Sequence, residues 1–544
     1  MAAAEEVRSP AGEGSAASGL GSTDAAAGIS ARFEAVRGDT GSFPAQATSA
    51  SATRAAAGRA RSSNMGPTVE VVADKDEDPQ KSSAIPTGWA QRGARLAGQT
   101  GKSAARFFGT RVKAFAAPQR AQEFLDGFHQ QTAKQIVEML GEMKGAAMKV
   151  GQLASFYEFS APGEYTETYK DALTMLQNSA PPMDPAASRL VIEEEFGKPV
   201  DQIFGSWEDE PVAAASIGQV HRATLPTGEA VAVKVQYPGV DEAVRADLKN
   251  IGAMTKLSVA IAPNLDPREV ANEVRDRVME ELDYRREAAN QARFAQMFED
   301  HPFVVVPKVH QELSTTRVIV QEFVEGESFL TAFDWDQERK DRLGEMVFRF
   351  FYGCLNRFLI FSADPHPGNY LLCGDGRVAF LDFGLVRAID PGTLELLLEV
   401  VQALITDDRE RGRVALEGLG ILNRKTPEID AVWEHLKMLN TPVLEDKEVT
   451  IDPPMVQGIA AAGFDPRSPA FQTLRKVGVP GVMVTLNRMS FGVASLLARL
   501  EATANWQAIS RELWFGDESA TELGRAEQRW LEEKHPDLLP PVTR

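Results

Sequence analysis

The segment Phe361–Gly384, FSADPHPGNYLLCGDGRVAFLDFG, sets Asp364, then Asn369, then Asp382 within Asp382-Phe383-Gly384. The turn residues Gly374-Asp375-Gly376 separate two short apolar runs, which predicts a β-hairpin between the second and third of these polar side chains. Such an ordered set suits phosphoryl transfer. A Mg²⁺-nucleotide needs hard oxygen ligands, here Asn369 and Asp382, and an accepting hydroxyl needs a nearby carboxylate, here Asp364. Asp364-Pro365 by itself would equally be an ordinary turn, so the weight lies on the order of the three.

Upstream, the small-residue stretch Pro211-Val-Ala-Ala-Ala-Ser-Ile-Gly-Gln-Val220 precedes a turn signal, Pro226-Thr-Gly228, and then Val231-Ala-Val-Lys-Val-Gln236. Alternation of Val231, Val233 and Val235 marks a strand whose other face carries Lys234. A loop of small residues, a hairpin and a strand lysine form the layout of a lobe that covers nucleotide phosphates, so Ala213, Ala214, Ala215, Ser216 and Lys234 are candidate nucleotide ligands. In such a lobe a helical carboxylate clamps the lysine. Glu287, in the charged helical run Glu280–Asn290, is the candidate, while most of that run is expected to be a solvated face. Arg317–Gly326 is an apolar strand running into a glycine-containing connector, the expected hinge, where Glu322 and Val324 would lie beside adenine.

The N-terminal part differs in composition. Residues 1–83 are rich in Ala, Gly, Ser and Thr with few large apolar residues, too few to offset chain entropy, and are expected to be disordered. Lys81–Arg120 carries eight Lys or Arg residues and no Asp or Glu, interleaved with Trp89, Phe107, Phe108 and Phe115. It is either a basic face docked on an acidic protein or a segment that meets anionic lipid. Gly101-Lys102-Ser103 imitates the end of a phosphate-binding P-loop, but Leu96 stands where the first glycine belongs and no apolar strand precedes it. From Ala121 to Phe156, Leu140, Met143, Ala147, Val150 and Leu153 recur at helical spacing, with Lys149-Val-Gly-Gln152 near the end. On spacing alone Lys149 is a solvated lysine.

The chain has 544 residues, 43% hydrophobic and 25% charged, enough for more than one packed unit. Its net charge of −19 argues against a general nucleic-acid binder. Cys354 and Cys373 have neither disulfide-framework nor zinc spacing, which fits a reducing compartment. Glu5 and Glu6, without an apolar core after them, disfavour a secretory signal, and no run of about 18 to 20 apolar residues suggests a transmembrane helix. The expected location is cytoplasmic or peripherally membrane-associated.

Taken in order, the small-residue loop, Lys234, Glu287, the hinge, Asp364, Asn369 and Asp382-Phe-Gly resemble the protein-kinase-like superfamily. More closely, the chain resembles the UbiB family of atypical kinases, also called AarF or ADCK. Lys149-Val-Gly-Gln152 matches that family's KxGQ signature, Ala213-Ala-Ala-Ser216 its alanine-rich loop, and Glu281-Leu-Asp283 its ExD element. The resemblance implies an α+β, bilobal protein-kinase-like fold with an N-terminal helical extension and a helical C-terminal region. Its expected divisions are a disordered tail over 1–83, a basic segment and KxGQ extension over 84–200, an N-lobe over 201–325, a C-lobe over 326–425 and helices over 426–544. It also implies that Lys149, with Gln152, sits across the site and meets Glu281 and Asp283. Mg²⁺ or Mn²⁺ with ATP or ADP, a lipid or quinone-like molecule and no nucleic acid are the implied ligands.

Two departures from ordinary protein kinases stand in the sequence. Ser362 and Ala363 replace the usual His-Arg before the catalytic Asp, and only Leu385–Ile389 separates Gly384 from the helix start Asp390-Pro391, which leaves no activation segment. Protein substrates are therefore not expected. Alanines in the phosphate loop restrict positive φ and close amide approach, which predicts restrained turnover. The C-terminal region is expected to be helical over Leu394–Thr406, Asp408–Leu419, Ile429–Leu439 and Met489–Ala504, with Arg488, Arg499, Glu501 and Arg511 limiting any membrane contact to the periphery. The function expected is a small-molecule or lipid kinase or ATPase in isoprenoid quinone biosynthesis or lipid homeostasis. A nucleotide-binding regulator of a biosynthetic complex is the alternative. Antibiotic and choline kinases share Asp364-x-His-Pro-Gly-Asn369 but lack the Lys149-Val-Gly-Gln152 signature.

Overall fold

The computed structural model describes residues 185–215, 217–248, 279–422, 429–464, 477–478 and 480–538. The tail over 1–83, the basic segment, Lys149, Gln152 and Ser216 lie outside the described residues.

The smaller lobe is built on an antiparallel sheet of β1 (Ser206–Trp207), β2 (Ala213–Ala215), β3 (Gly218–Thr224), β4 (Ala230–Gln236) and β6 (Val318–Glu322), with β5 (Val304–Val305) belonging to the other lobe. β1 and β2 both pair with β3, β3 with β4, and β4 with β6. The expected β3–β4 hairpin runs from Gly218 opposite Gln236 to Thr224 opposite Ala230, and Gly228 supplies the positive φ of 89° in its turn. Val231, Val233 and Val235 are fully buried against Val191 and Ile192 of α1 (Pro185–Phe196). The opposite face carries Ile319 and packs on α2 (Val240–Leu248) and α3 (Tyr284–Met297). Lys234 shares that second face because successive strand residues alternate.

The charged run Glu280–Asn290 is not one continuous helix. It breaks at Leu282–Asp283, and α3 begins at Tyr284 with the Asp283 carboxylate accepting from the Arg285 amide at 3.2 Å. Asp283 thus acts as an N-cap, satisfying an amide that a helix start leaves without a partner.

The larger lobe is organised around α4 (Gln337–Phe358), capped by Asp336 and ended by Leu359 at φ 56°. Its buried face carries Leu343, Val347, Phe350, Phe351 and Cys354. Against it lies a four-stranded sheet ordered β5-β10-β9-β7, made with β7 (Glu327–Ser328), β9 (Tyr370–Leu372) and β10 (Val378–Phe380). β9 and β10 are the hairpin expected around Gly374–Gly376, with Gly376 at φ 86°. β8 (Ile360–Ser362) pairs with β11 (Val386–Ala388), so the chain crosses from Gly384 directly into a strand. Helix α5 (Pro391–Thr406) then starts on Asp390, whose carboxylate accepts from the Thr393 amide at 3.1 Å. This is the short exit that leaves no activation segment.

Helices α6 (Arg409–Gly418), α7 (Ile429–Leu444), α8 (Pro453–Phe464), α9 (Gly481–Leu500), α10 (Trp506–Phe515) and α11 (Glu522–Lys534) follow. The last of the expected helices is displaced. α9 begins at Gly481 rather than Met489 and ends at Leu500, where Glu501 turns left-handed at φ 52°, and Ala504 lies in a short strand. The β-branched, nearly continuous apolar run Val482–Leu486 hides the helical period in sequence, and packing on α4 and α8 supplies it. α9 is the one described helix long and apolar enough to cross a membrane. Met489, Val493, Leu496, Leu497 and Leu500 are nevertheless buried in the large core, as expected of a core helix.

A buried ionic cluster ties the C-terminal helices to α4. The fully buried Arg349 guanidinium donates to Glu345 at 2.6 Å, to Glu512 at 2.7 and 2.8 Å, and to Glu527 at 2.9 Å. Arg357 adds a second contact to Glu527 at 2.7 Å, and against the effect of burial Arg357, the neighbouring His301 and Arg349 together hold the Glu527 carboxyl far below its ordinary range. Gly524 makes the approach possible: a Cβ there would lie 2.5 Å from both Arg349 and Glu512.

Candidate nucleotide site

Lys234 reaches from β4 to α3, where its ammonium donates to Glu287 Oε1 at 2.7 Å. Burial works against the lysine's charge, yet Glu287, with Asp382 further off, outweighs it and holds the pKa above lysine's ordinary value. The ammonium therefore stays protonated across physiological pH. Glu287 is in turn lodged against the Asp382-Phe-Gly turn, since a Cβ on Gly384 would lie 3.7 Å from its Oε2.

Asp382 Oδ1 accepts from the Gly384 amide at 2.9 Å, which fixes the carboxylate's orientation. Asn290, one helical turn beyond Glu287, donates to the Phe383 carbonyl at 3.0 Å, and the Phe383 ring packs on Phe294 with centroids 4.7 Å apart. One face of α3 thus positions both the strand lysine and the Asp382-Phe-Gly turn. Glu280 adds a further link by accepting from Arg387 of β11 at 2.7 Å and from Arg286 at 3.2 Å.

The Asp364–Asn369 loop is held by its own backbone. The His366 amide donates to the Asp364 carbonyl and the Asn369 amide to the His366 carbonyl, while Ala363 and Leu381 are anchored to Leu385 and Asn369. Asn369 donates its amide nitrogen to the Asp364 carbonyl at 3.3 Å, which leaves its side-chain oxygen for another partner. That oxygen and the second oxygen of Asp382 are hard donors of the kind a divalent cation takes, and these two residues would hold one if it binds here.

Asp364 is buried and already engaged. Arg488 of α9 donates to its Oδ1 at 2.8 Å, and both side chains are about nine-tenths covered. In the sequence Arg488 looked only like an interruption of an apolar helix. A cation retained within such a helix is itself a signal, because its burial requires a partner.

The alanine loop is a tight hairpin. Ala213, Ala214 and Ala215 pair with Val220, Gln219 and Gly218, and the first two are exposed. Gly218 is committed to strand packing, since a Cβ there would lie 2.1 Å from the Val235 carbonyl oxygen. At the hinge, Glu322 is fixed by accepting from the Lys308 amide at 3.3 Å, whereas the Val324 N–H and carbonyl take no partner among the described residues. Glu281 is half-buried beside the Asp283 cap, and the expected contact of both with Lys149 lies outside the described residues.

Comparison with known proteins follows the same lines. Residues 175–414 match the ABC1 atypical kinase-like domain. The uncharacterized protein slr0889 of Synechocystis is 35% identical over 298 residues, 52% of this chain and 71% of that protein. The atypical kinase COQ8B, mitochondrial, of Rattus norvegicus is 35% identical over 280 residues, 51% of this chain and 52% of that protein. A solved complex of Rv3197 from Mycobacterium tuberculosis with erythromycin aligns at a TM-score of 0.55 and 32% identity, covering 73% of this chain and 100% of the other. The chain thus spans only about half the length of the rat relative. Together with the Lys234–Glu287 clamp and the Asp382 turn, these matches show that the chain belongs to the UbiB (AarF/ADCK) family of ABC1 atypical kinase-like proteins.

Proposed function

We propose that this chain is an atypical kinase or ATPase that binds Mg²⁺-ATP or Mg²⁺-ADP between its lobes and acts on, or responds to, a small lipid-like molecule. The observation that carries this is the Lys234–Glu287 pair at 2.7 Å, locked by α3 to the Asp382 turn. Lys234 would bind the α- and β-phosphates, Val324 would offer backbone groups to adenine, and Ala213–Ser216 would cover the phosphates. Asn369 and Asp382 would hold the metal, which neutralises phosphate charge when bound. Asp364 would orient the accepting hydroxyl and take its proton as the γ-phosphoryl group passes to that oxygen. With no activation segment between Gly384 and Asp390, a small molecule fits better than a protein substrate.

The COQ8B relative supports an isoprenoid quinone or its precursor as the substrate class, and the relative in complex with erythromycin supports a small molecule as ligand. Peripheral membrane association would bring the protein to such a substrate, with Lys81–Arg120 as the proposed contact. A second reading, a nucleotide-binding regulator with restrained turnover, is favoured by the Arg488 contact that engages Asp364. The test is ATP hydrolysis with and without anionic liposomes and a phenolic quinone analogue. Asp382→Asn is expected to lower stimulated hydrolysis at least about tenfold by removing a metal ligand. Hydrolysis unchanged in Asp382→Asn would defeat the catalytic reading.

A further inference from the structure

Tyr284, the first residue of α3, follows the Asp283 cap and lies beside the nucleotide site. It is 2% exposed, and its ring packs in a cluster with Ile217, Val240, Leu282, Ala288 and Ile319. The Lys234 ammonium lies over this ring, 5.0 Å from its centroid. Glu287 and Tyr284 therefore grip the same lysine. The tyrosine hydroxyl, however, is buried without a hydrogen-bond partner among the described residues. Phenylalanine would supply the same ring without the cost of an unsatisfied donor, so the hydroxyl calls for an acceptor brought by a ligand.

We propose that Tyr284 is a nucleotide-binding residue: its ring steadies Lys234, and its hydroxyl donates to a phosphate oxygen of the bound nucleotide. The inference rests on the proposed nucleotide site and adds to it a side-chain phosphate donor. Burial pushes the Tyr284 phenol above its ordinary pKa in spite of the neighbouring ammonium, so it remains a neutral donor. Neutrality matters here because Glu281, Glu287 and Asp382 already make the surroundings acidic. An N–H or O–H dipole beside Lys234 offsets phosphate charge without adding another.

The alanine loop gives this donor a use. Ala213–Ala215 are bound in a strand ladder, and their Cβ atoms keep phosphates from approaching the backbone as closely as glycines allow. A side-chain donor beside Lys234 would compensate for that. Ile217, beside the tip of the same hairpin, packs in the Tyr284 cluster, so the alanine loop and the tyrosine are neighbours. Tyr370, the other buried tyrosine with an unpartnered hydroxyl among the described residues, is enclosed by Phe329, Phe351 and Phe380 instead.

The test compares Mg²⁺-ATP and Mg²⁺-ADP affinities of wild type, Tyr284→Phe and Lys234→Met by calorimetry, with the nucleotide-free Tm of each. Tyr284→Phe is expected to weaken nucleotide binding by about tenfold, the usual scale for a hydrogen bond to a charged group, while raising the nucleotide-free Tm because the orphaned hydroxyl is gone. A purely packing role would move Tm and leave affinity alone. Wild-type affinity in Tyr284→Phe, alongside weakened binding in Lys234→Met, would overturn the Tyr284 assignment and leave the nucleotide site standing. Absence of nucleotide binding by wild type, or undiminished binding by Lys234→Met, would overturn both.

Discussion

Arg488 and Asp364 show how one contact changes what a residue can do. A carboxylate poised as a base needs a lone pair directed at its substrate, and here one oxygen of Asp364 already accepts from a guanidinium at 2.8 Å. The pair is mostly buried, so removing the arginine leaves a carboxylate in poor solvent and takes away the cation that holds its Oδ1. Arg488→Ala is accordingly expected to lower stability by about 3 kcal/mol in urea denaturation and to raise basal ATP hydrolysis. Equal hydrolysis by the variant and wild type would mean that Arg488 does not restrain Asp364. Lys234 and Glu287 present the opposite situation: strand alternation placed the lysine, the layout of a nucleotide-covering lobe called for a helical carboxylate, and the two meet at 2.7 Å.

At the scale of elements, α3 and the alanine hairpin carry the site. α3 presents Glu287, Asn290 and Phe294 at helical spacing, so one rigid element addresses Lys234, the Phe383 carbonyl and the Phe383 ring together. The hairpin opposite it is stiff where ordinary kinase loops contain glycine. Ala214→Gly is expected to destabilise the lobe by about 0.5–1 kcal/mol and to shift the ratio of ATP to ADP affinity severalfold. Titration of both nucleotides checks this, and an unchanged ratio would sink the idea that Ala214 sets nucleotide preference. The break at Asp283 escaped the sequence pattern because Glu280–Asn290 carries helix-favouring charges throughout, and only the Arg285 amide reveals the capping role.

Across the whole molecule, the C-terminal helices are part of the large lobe. α9 contributes Met489, Val493, Leu496 and Leu500 to the core that also holds Phe350, Phe361 and Phe383, so the helix bearing Arg488 and the turn bearing Asp382 share one packed interior. The Arg349 cluster joins α4 to α10 and α11 by ionic contacts around a fully buried guanidinium. Arg349→Met would leave Glu345, Glu512 and Glu527 together with Arg357 as the remaining close cation. A loss of roughly 3–5 kcal/mol is expected, read as a lower urea midpoint. A midpoint shift below about 1 kcal/mol would show that the carboxylates relax into other contacts.

The identities and order of Asp364, Asn369, Asp382, Lys234 and Glu287 were determined by sequence alone, as were the hairpins at Gly228 and Gly376 and the short exit from Gly384 to Asp390. These are local matters of periodicity, turn chemistry and capping, which short-range sterics and hydrogen bonds decide. Arg488 on Asp364, Tyr284 under Lys234, Asn290 on Phe383 and the Arg349 cluster were decided only by the tertiary structure. Each joins residues far apart in the chain, and burial there turns ordinary polar side chains into partners that must find one another.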